Sequence, residues 1–216
     1  MKIAIVGAHG QIAMHLHPML KERGHQIRGL IRKAEQADDL EKAGAEPVVC
    51  DVEKEEDISD AVGQQDVVIF AAGAGPGSGA ARKWSMDRDG AIKLIEAARK
   101  NNIKRYIMIS AMGLDDPRGD EVFKAYQKAK AEADEALKVS GLQHAIIKPG
   151  RLTNEKGTGR VTLDRNLSLG EIPREDVAAV IAEILVHPDH DNLQLDLISG
   201  DTPIKKAVTR FTQKTS

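Results

Sequence analysis

The sequence predicts an α/β protein built on a doubly wound parallel sheet. Three observations carry this. Short apolar runs alternate with helical stretches along the first 150 residues. Several of those runs are apolar without interruption, as strands are when helices cover both faces of a sheet. Glycines stand just past helical stretches, at Gly24, Gly44 and Gly141, where a left-handed cap closes a helix.

Strands are expected at residues 2–6, 26–31, 47–50, 66–71, 104–110 and 143–147, and helices at 11–23, 36–43, 55–62, 87–100 and 121–139. Strands separated by helices imply parallel βαβ units, and right-handed crossovers then wind the sheet on both sides. In the stretch 87–100, Ala91, Ile92, Leu94, Ile95 and Ala98 make one apolar face. Pro18 falls inside the first helix and is expected to kink or shorten it. After Pro149-Gly150 the rhythm changes. Residues 151–170 read as a polar loop with a strand near 160–163, followed by a helix over 173–186 with proline first, a strand at 193–199 and a last helix at 204–212. The chain reads as a single domain, residues 1–216. Residues 151–216 are expected to add a small C-terminal lobe on the substrate side, over the carboxyl ends of the strands, where open α/β folds bind ligands.

Bulk properties narrow the partners. A formal net charge of −2 gives no electrostatic reason to expect nucleic acid or an anionic membrane surface. No apolar run approaches the roughly 18 residues of a spanning helix, and the first apolar run is too short for a cleavable signal. A cytoplasmic protein is expected, with a small molecule as its partner and a monomeric or weakly homo-oligomeric state. Cys50 is the single cysteine, so no internal disulfide forms; it reads as a buried structural thiol. No metal site is expected.

The chemistry begins at Gly7-x-x-Gly10-x-x-Ala13, between the first strand and the first helix. The first glycine permits a tight turn, the second lets a phosphate approach, and the third small residue allows close helix–strand packing. Backbone N–H groups and the positive helix end then converge on one spot, which suits the pyrophosphate of a dinucleotide. A plain βα turn is the other reading. Gln11 and Ile12 open this helix and join the candidate cofactor contacts. His9 either faces the phosphates or is an exposed loop histidine. About 20 residues past the glycines an NAD site carries Asp or Glu for the ribose hydroxyls. Here stand Arg32 and Lys33, which favour NADP(H) over NAD(H) by neutralising a 2′-phosphate. The alternative is a solvated basic pair. Asp51, after the third strand, accepts from the adenine amino group or serves as a cap or loop carboxylate. Ala71, Ala72 and Gly73 end the fourth strand with side chains small enough for a cofactor to lie against the backbone. The glycine-rich run 73–79 that follows either closes over a ligand or is a passive loop.

Ser110 closes the fifth strand, and Tyr126 and Lys130 stand four residues apart on one helix face. A lysine ammonium beside a phenol favours phenolate, so Tyr126 would act as general acid or base with a lowered pKa. Ser110 would hydrogen-bond a substrate oxygen, and Lys130 would also hold the nicotinamide ribose. A solvated helix face is the alternative for the pair. Trp84 either borders the substrate or packs half-buried.

With these residues the chain resembles the short-chain dehydrogenase/reductase superfamily, and within it the atypical NAD(P)-binding group of NmrA-like proteins, biliverdin reductase B and bacterial NAD-dependent epimerase/dehydratase proteins. The resemblance runs through IAIVGAHGQIA, GLIRK, CDV, VVIFAAGAG, DRDGAIKLIEAARKNNIKRYIMIS, YQKAKAEADEALKVSGLQHAIIKPGRL and IPREDVAAVI. It implies a Rossmann-like fold. It implies that Gly7, Gly10 and Ala13 bind pyrophosphate, that Arg32 binds the 2′-phosphate, and that Asp51 and Val52 border the adenine. Ala71, Ala72 and Gly73 would line the cofactor, Lys130 would hold the ribose, and Pro149, Gly150, Arg151 and Leu152 would pack near the nicotinamide. The sequence departs from the superfamily pattern at Ala13, often glycine there, and at Ala111, where a second serine is frequent. The separation of Ser110 from Tyr126 is also shorter than in sugar-nucleotide epimerases. The function expected is an NADP(H)-dependent oxidoreductase. The alternatives are a sugar-nucleotide epimerase or dehydratase, for which some 65 residues after Gly150 make a small substrate lobe, and a non-catalytic NADP-binding redox sensor.

Overall fold

A computed structural model of the protein describes residues 1–75, 77–187 and 192–215. Its first half alternates strictly: β1 (Lys2–Val6), α1 (Gln11–Glu22), β2 (Gln26–Ile31), α2 (Ala37–Ala43), β3 (Glu46–Val49), α3 (Ser59–Val62) and β4 (Val67–Phe70). Next comes one continuous helical stretch: α4 (Ala80–Arg82), a π-helical segment (Lys83–Gly90) and α5 (Ala91–Lys100). Then follow β5 (Arg105–Ile109), α6 (Glu121–Lys138), β6 (Gln143–Pro149), β7 (Arg151–Thr153), β8 (Arg160–Asp164), β9 (Glu171–Pro173), α7 (Arg174–Ile184), β10 (Leu193–Ser199), β11 (Thr202–Pro203) and α8 (Ile204–Thr215).

Among the described residues the main sheet has nine strands in the order β11-β8-β10-β6-β5-β4-β1-β2-β3. From β3 to β6 this is the doubly wound Rossmann order 3-2-1-4-5-6. Every pair from β3 through β10 is parallel; β8 and β11 turn the far edge antiparallel.

Strand periodicity divides the core. Ile3 and Ile5 of β1, Val67 and Ile69 of β4, and Ile107 and Ile109 of β5 face α1, α7 and α8. Their neighbours Ala4 and Val6, Val68 and Phe70, and Tyr106 and Met108 face α3, α5 and α6. Successive side chains point to opposite faces, so a strand covered on both sides must be apolar at every position. Each fully buried Ile, Leu or Phe contributes about 1.5–3 kcal/mol. Tyr106 is wholly buried but satisfied, donating to the Ala91 carbonyl at 3.1 Å. Cys50 is a buried free thiol, pushed up to about 11 by burial and then by Glu55 and Asp51.

Three local expectations are adjusted. α1 runs through Pro18 to Glu22 without being shortened there. The helix expected over 55–62 is limited to Ser59–Val62. The helix expected from residue 87 starts at Ala80, and its π-helical segment carries Asp87 to the buried side. The C-terminal segment divides. β10, β8 and β11 lengthen the sheet and α7 packs on α1, whereas β7 and β9 pair with each other beyond the carboxyl end of β6. Pro76, within the glycine-rich run, lies outside the described residues.

Candidate active site

The chain reverses direction across the sheet between β1 and β4, and this switch point opens a crevice at the strands' carboxyl ends. Gly7 ends β1 with φ +79°, and a Cβ there would stand 2.6 Å from the Ala72 backbone. Only glycine lets the first turn pass so close to the end of β4. The Gly10 amide donates to the Gly7 carbonyl at 2.8 Å, and α1 starts after Gly10 with no side-chain cap. The first amides of the helix therefore keep their donors for a ligand, and no acidic side chain occupies its first turn. His17, buried within α1, bonds the Ala8 carbonyl through Nε2 at 2.7 Å and so pins the loop from behind. Ala13 is fully buried in the helix–sheet contact, as a small residue there should be.

A cleft of about 950 Å³ runs from the start of α1, at Gln11 and Ile12, along the ends of β4, β5 and β6. Its wall gathers Gln11, Ile12, Ala71, Ala72, Gly73, Ser110, Tyr126, Lys130, Pro149, Gly150, Arg151 and Leu152. The wall also contains Arg174, from the IPREDVAAVI stretch that the resemblance implies lies beside the cofactor, and residues the sequence reading passed over: Lys83, Asp87, Phe123, Gln127 and Leu169. Arg32, Lys33, Asp51 and Val52 are not in that wall. They follow β2 and β3 on the same edge of the sheet. Arg32 and Lys33 are exposed, and the Arg32 charge reaches Glu53, which is held by Arg82 and Ser85. Asp51 caps its own turn, accepting from the Glu53 amide at 3.2 Å, and Val52 is buried. His9 pairs with Asp39 at 2.9 Å. Trp84 also stays out of the cleft wall and lies under Arg88, 4.9 Å from ring centroid to guanidinium carbon. Gly150 is required: a Cβ there would stand 2.2 Å from the Gly170 carbonyl oxygen, where Arg151 also donates its backbone N–H.

A buried charged layer runs from the cleft wall, at Lys130, Asp87 and Ser110, to Asp134 and Lys148 outside it. Lys130 Nζ donates to the Ile109 carbonyl at 3.0 Å and stands 3.5 Å from Asp87 Oδ1. Asp87 Oδ2 accepts from the Ala74 amide at 3.2 Å. Ser110 donates to Asp134 Oδ2 at 2.9 Å, and Lys148 Nζ stands 3.5 Å from the same oxygen. Burial raises the Asp134 carboxyl above its usual range, against the pull of Ser110 and of Lys148, Lys130 and Lys138. Tyr126 stacks on Phe123, with Lys83 Nζ 5.6 Å from its ring centroid.

One sequence expectation is reversed. Lys130 was expected to lower the Tyr126 pKa; instead burial, then Asp87 and Asp134, hold the phenol well above its ordinary value. The reason is geometric, since the Lys130 ammonium is committed to Asp87 and Ile109. Asp134 was open to discovery in sequence: it lies four residues beyond Lys130 and eight beyond Tyr126, on the same helix face. Asp87 was not, because a π-helical turn sets its direction. Among the described residues, no group of three or more His, Cys, Asp or Glu side chains is placed to hold a metal ion, and no helix is long and apolar enough to cross a membrane.

A family model described as NAD(P)H-binding matches residues 7–188, from the glycine turn to beyond α7. The chain belongs to this NAD(P)H-binding family. The chain is 41% identical, over 98% of its length and 100% of the relative, to a Bacillus subtilis protein described as the uncharacterized sugar epimerase YhfK. A solved Bacillus halodurans structure, described as a candidate NAD-dependent epimerase/dehydratase, has a TM-score of 0.92 at 41% identity, covering 97% of this chain and 99% of that one. The structure of ChuY from Escherichia coli O157:H7, described as an anaerobillin reductase, has a TM-score of 0.77 at 25% identity, covering 93% of this chain and 98% of that one.

Proposed function

We propose that the protein is an NADP(H)-dependent oxidoreductase that reduces a carbonyl or related group on a small molecule. The observation that carries this reading is the convergence of Ser110, Tyr126 and Lys130 on the cleft that begins at Gln11 and Ile12, the first residues of α1 after the glycine turn. The cradle fits the cofactor, because Gly7 and the uncapped start of α1 offer backbone donors to a pyrophosphate. Arg32 and Lys33 would take the 2′-phosphate, and Ala71, Ala72 and Gly73 would lie along the cofactor's length. A bound nicotinamide supplies the hydride, and the protein supplies orientation and a proton.

Tyr126 keeps its proton in these surroundings, which make it a weaker acid than a free phenol, so it would give that proton to a substrate oxygen only as the oxygen becomes strongly basic during hydride arrival. The Lys83 ammonium lies 5.6 Å from the Tyr126 ring centroid and donates to the Gly75 carbonyl at 2.8 Å, which fixes it beside the tyrosine. Lys130, neutralised by Asp87, would hold the ribose rather than tune the tyrosine. Phe123 and Leu169 at the cleft wall are exposed apolar side chains and suit a substrate with an apolar body. The reading takes the protein as cytoplasmic and as a monomer or weak homo-oligomer.

Tyr126→Phe tests it. Loss of turnover across a carbonyl and quinone panel, with NADPH binding retained, supports the oxidoreductase. Intact binding with no turnover by the unsubstituted protein favours a redox sensor. A sugar-nucleotide epimerase is the second reading, favoured by the description of the Bacillus subtilis relative. Interconversion of sugar nucleotides without net consumption of cofactor would establish it.

A further inference from the structure

The one proton of the Ser110 hydroxyl points inward, to Asp134 Oδ2 at 2.9 Å. Its lone pairs are then what remains for the cleft, which Ser110 helps to line. A carbonyl oxygen also carries only lone pairs, so in this arrangement two acceptors would meet. Reduction needs a donor there. We propose that Asp134 is a positioning residue whose protonation state sets the hydrogen-bond polarity of Ser110 toward the substrate. When Asp134 is ionised, Ser110 donates to it and meets an alcohol as an acceptor. When Asp134 is protonated, its carboxyl O–H donates to Ser110 Oγ, and the serine's own proton turns to a carbonyl. The proposal rests on the oxidoreductase reading above.

Geometry supports both states. Asp134 is 2% exposed, and its Oδ1 is buried with no hydrogen-bond partner. A carboxylate with one orphaned oxygen is costly to keep ionised. Burial accordingly raises its pKa. Lys130 and Lys138 on α6 and Lys148 on β6 oppose that rise. The neutral phenols of Tyr106 on β5 and Tyr126 on α6 feel the same carboxylate, and Asp87 on the π-helical segment reaches the group through Lys130. Lys148, which faces Asp134, has a side chain 20% exposed and lines a second cavity of about 630 Å³ that shares Ala111 and Met112 with the cleft wall.

The test has two readouts. In cofactor-free protein with carbon-13-labelled aspartate, the Asp134 carboxyl is assigned by its loss in Asp134→Asn and titrated. Its midpoint is expected above the usual value of about 3.9, and further up in Ser110→Ala, which removes the donor that favours the ionised form. In turnover, kcat for carbonyl reduction by the unsubstituted protein is expected to fall about tenfold per pH unit above that midpoint. The fall disappears in Asp134→Asn and returns in Asp134→Glu, while KM for NADPH stays within about twofold throughout. An Asp134 midpoint unmoved by Ser110→Ala, or a pH profile unchanged in Asp134→Asn, overturns the proposal. Absence of turnover in the unsubstituted protein would instead overturn the oxidoreductase reading, and the titration alone would then decide whether Ser110 and Asp134 are coupled.

Discussion

Lys130 Nζ lies 3.5 Å from Asp87 Oδ1, with both side chains almost wholly buried. The pair joins α6 to the π-helical segment under the cleft floor. Removing one member of such a pair leaves an uncompensated buried charge and costs about 3–5 kcal/mol. Lys130→Met is therefore expected to lower stability by that order. Adding Asp87→Asn should recover part of the loss, because the orphaned carboxylate is gone. Urea unfolding of the two single variants and the double variant measures the coupling; additive losses would contradict a direct pair.

Gly7→Ala should lose stability and cofactor together. The backbone there has φ +79° and the added Cβ would press on Ala72 at 2.6 Å. The strained dihedral alone costs about 1–3 kcal/mol, and the clash forces β1 and β4 apart where the phosphate cradle forms. Thermal unfolding and NADPH titration by fluorescence are the measurements. Normal affinity in a folded Gly7→Ala protein would place the dinucleotide elsewhere.

Arg32→Ala should discriminate between cofactors. A charge-assisted contact to a 2′-phosphate is worth about 1.5–3 kcal/mol, which is tenfold or more in affinity. NADPH binding is expected to weaken by that factor, with NADH binding unchanged within about twofold. Equal losses for both would mean that Arg32 supports the loop and not the phosphate.

The His17 contact with Ala8 carries a pH dependence. Burial lowers the His17 pKa below its ordinary 6.5, against the raising effect of the Ala8 hydrogen bond. The unfolded chain then binds more protons below that value, so this contribution is complete above pH 6.5 and is lost as the pH falls through the folded pKa. Asp134, with a raised carboxyl, contributes with the opposite sign in its own range. His17→Gln keeps a donor for Ala8 but does not titrate. Denaturant melts at pH 7.5 and 5.5, values chosen about one unit either side of the histidine reference, should show a smaller acid loss in His17→Gln than in the unsubstituted protein.

The sequence by itself determined the alternation of strands and helices, because helices covering both faces demand uninterrupted apolar strands, and strands such as Val67–Phe70 are legible without a partner. It determined the glycine turn after β1 too, since Gly7 and Gly10 act through their own backbone geometry. It placed Ser110, Tyr126 and Lys130 on elements that do meet at one cleft. Only the tertiary structure decided which partners those groups take there. It turned Asp87 inward through a π-helical turn, gave Lys130 to Asp87 instead of Tyr126, and set Asp134 under Ser110. Spacing along a chain fixes which side chains share a face. Protonation depends on burial and on charges brought from other elements, and those exist only once the chain has folded.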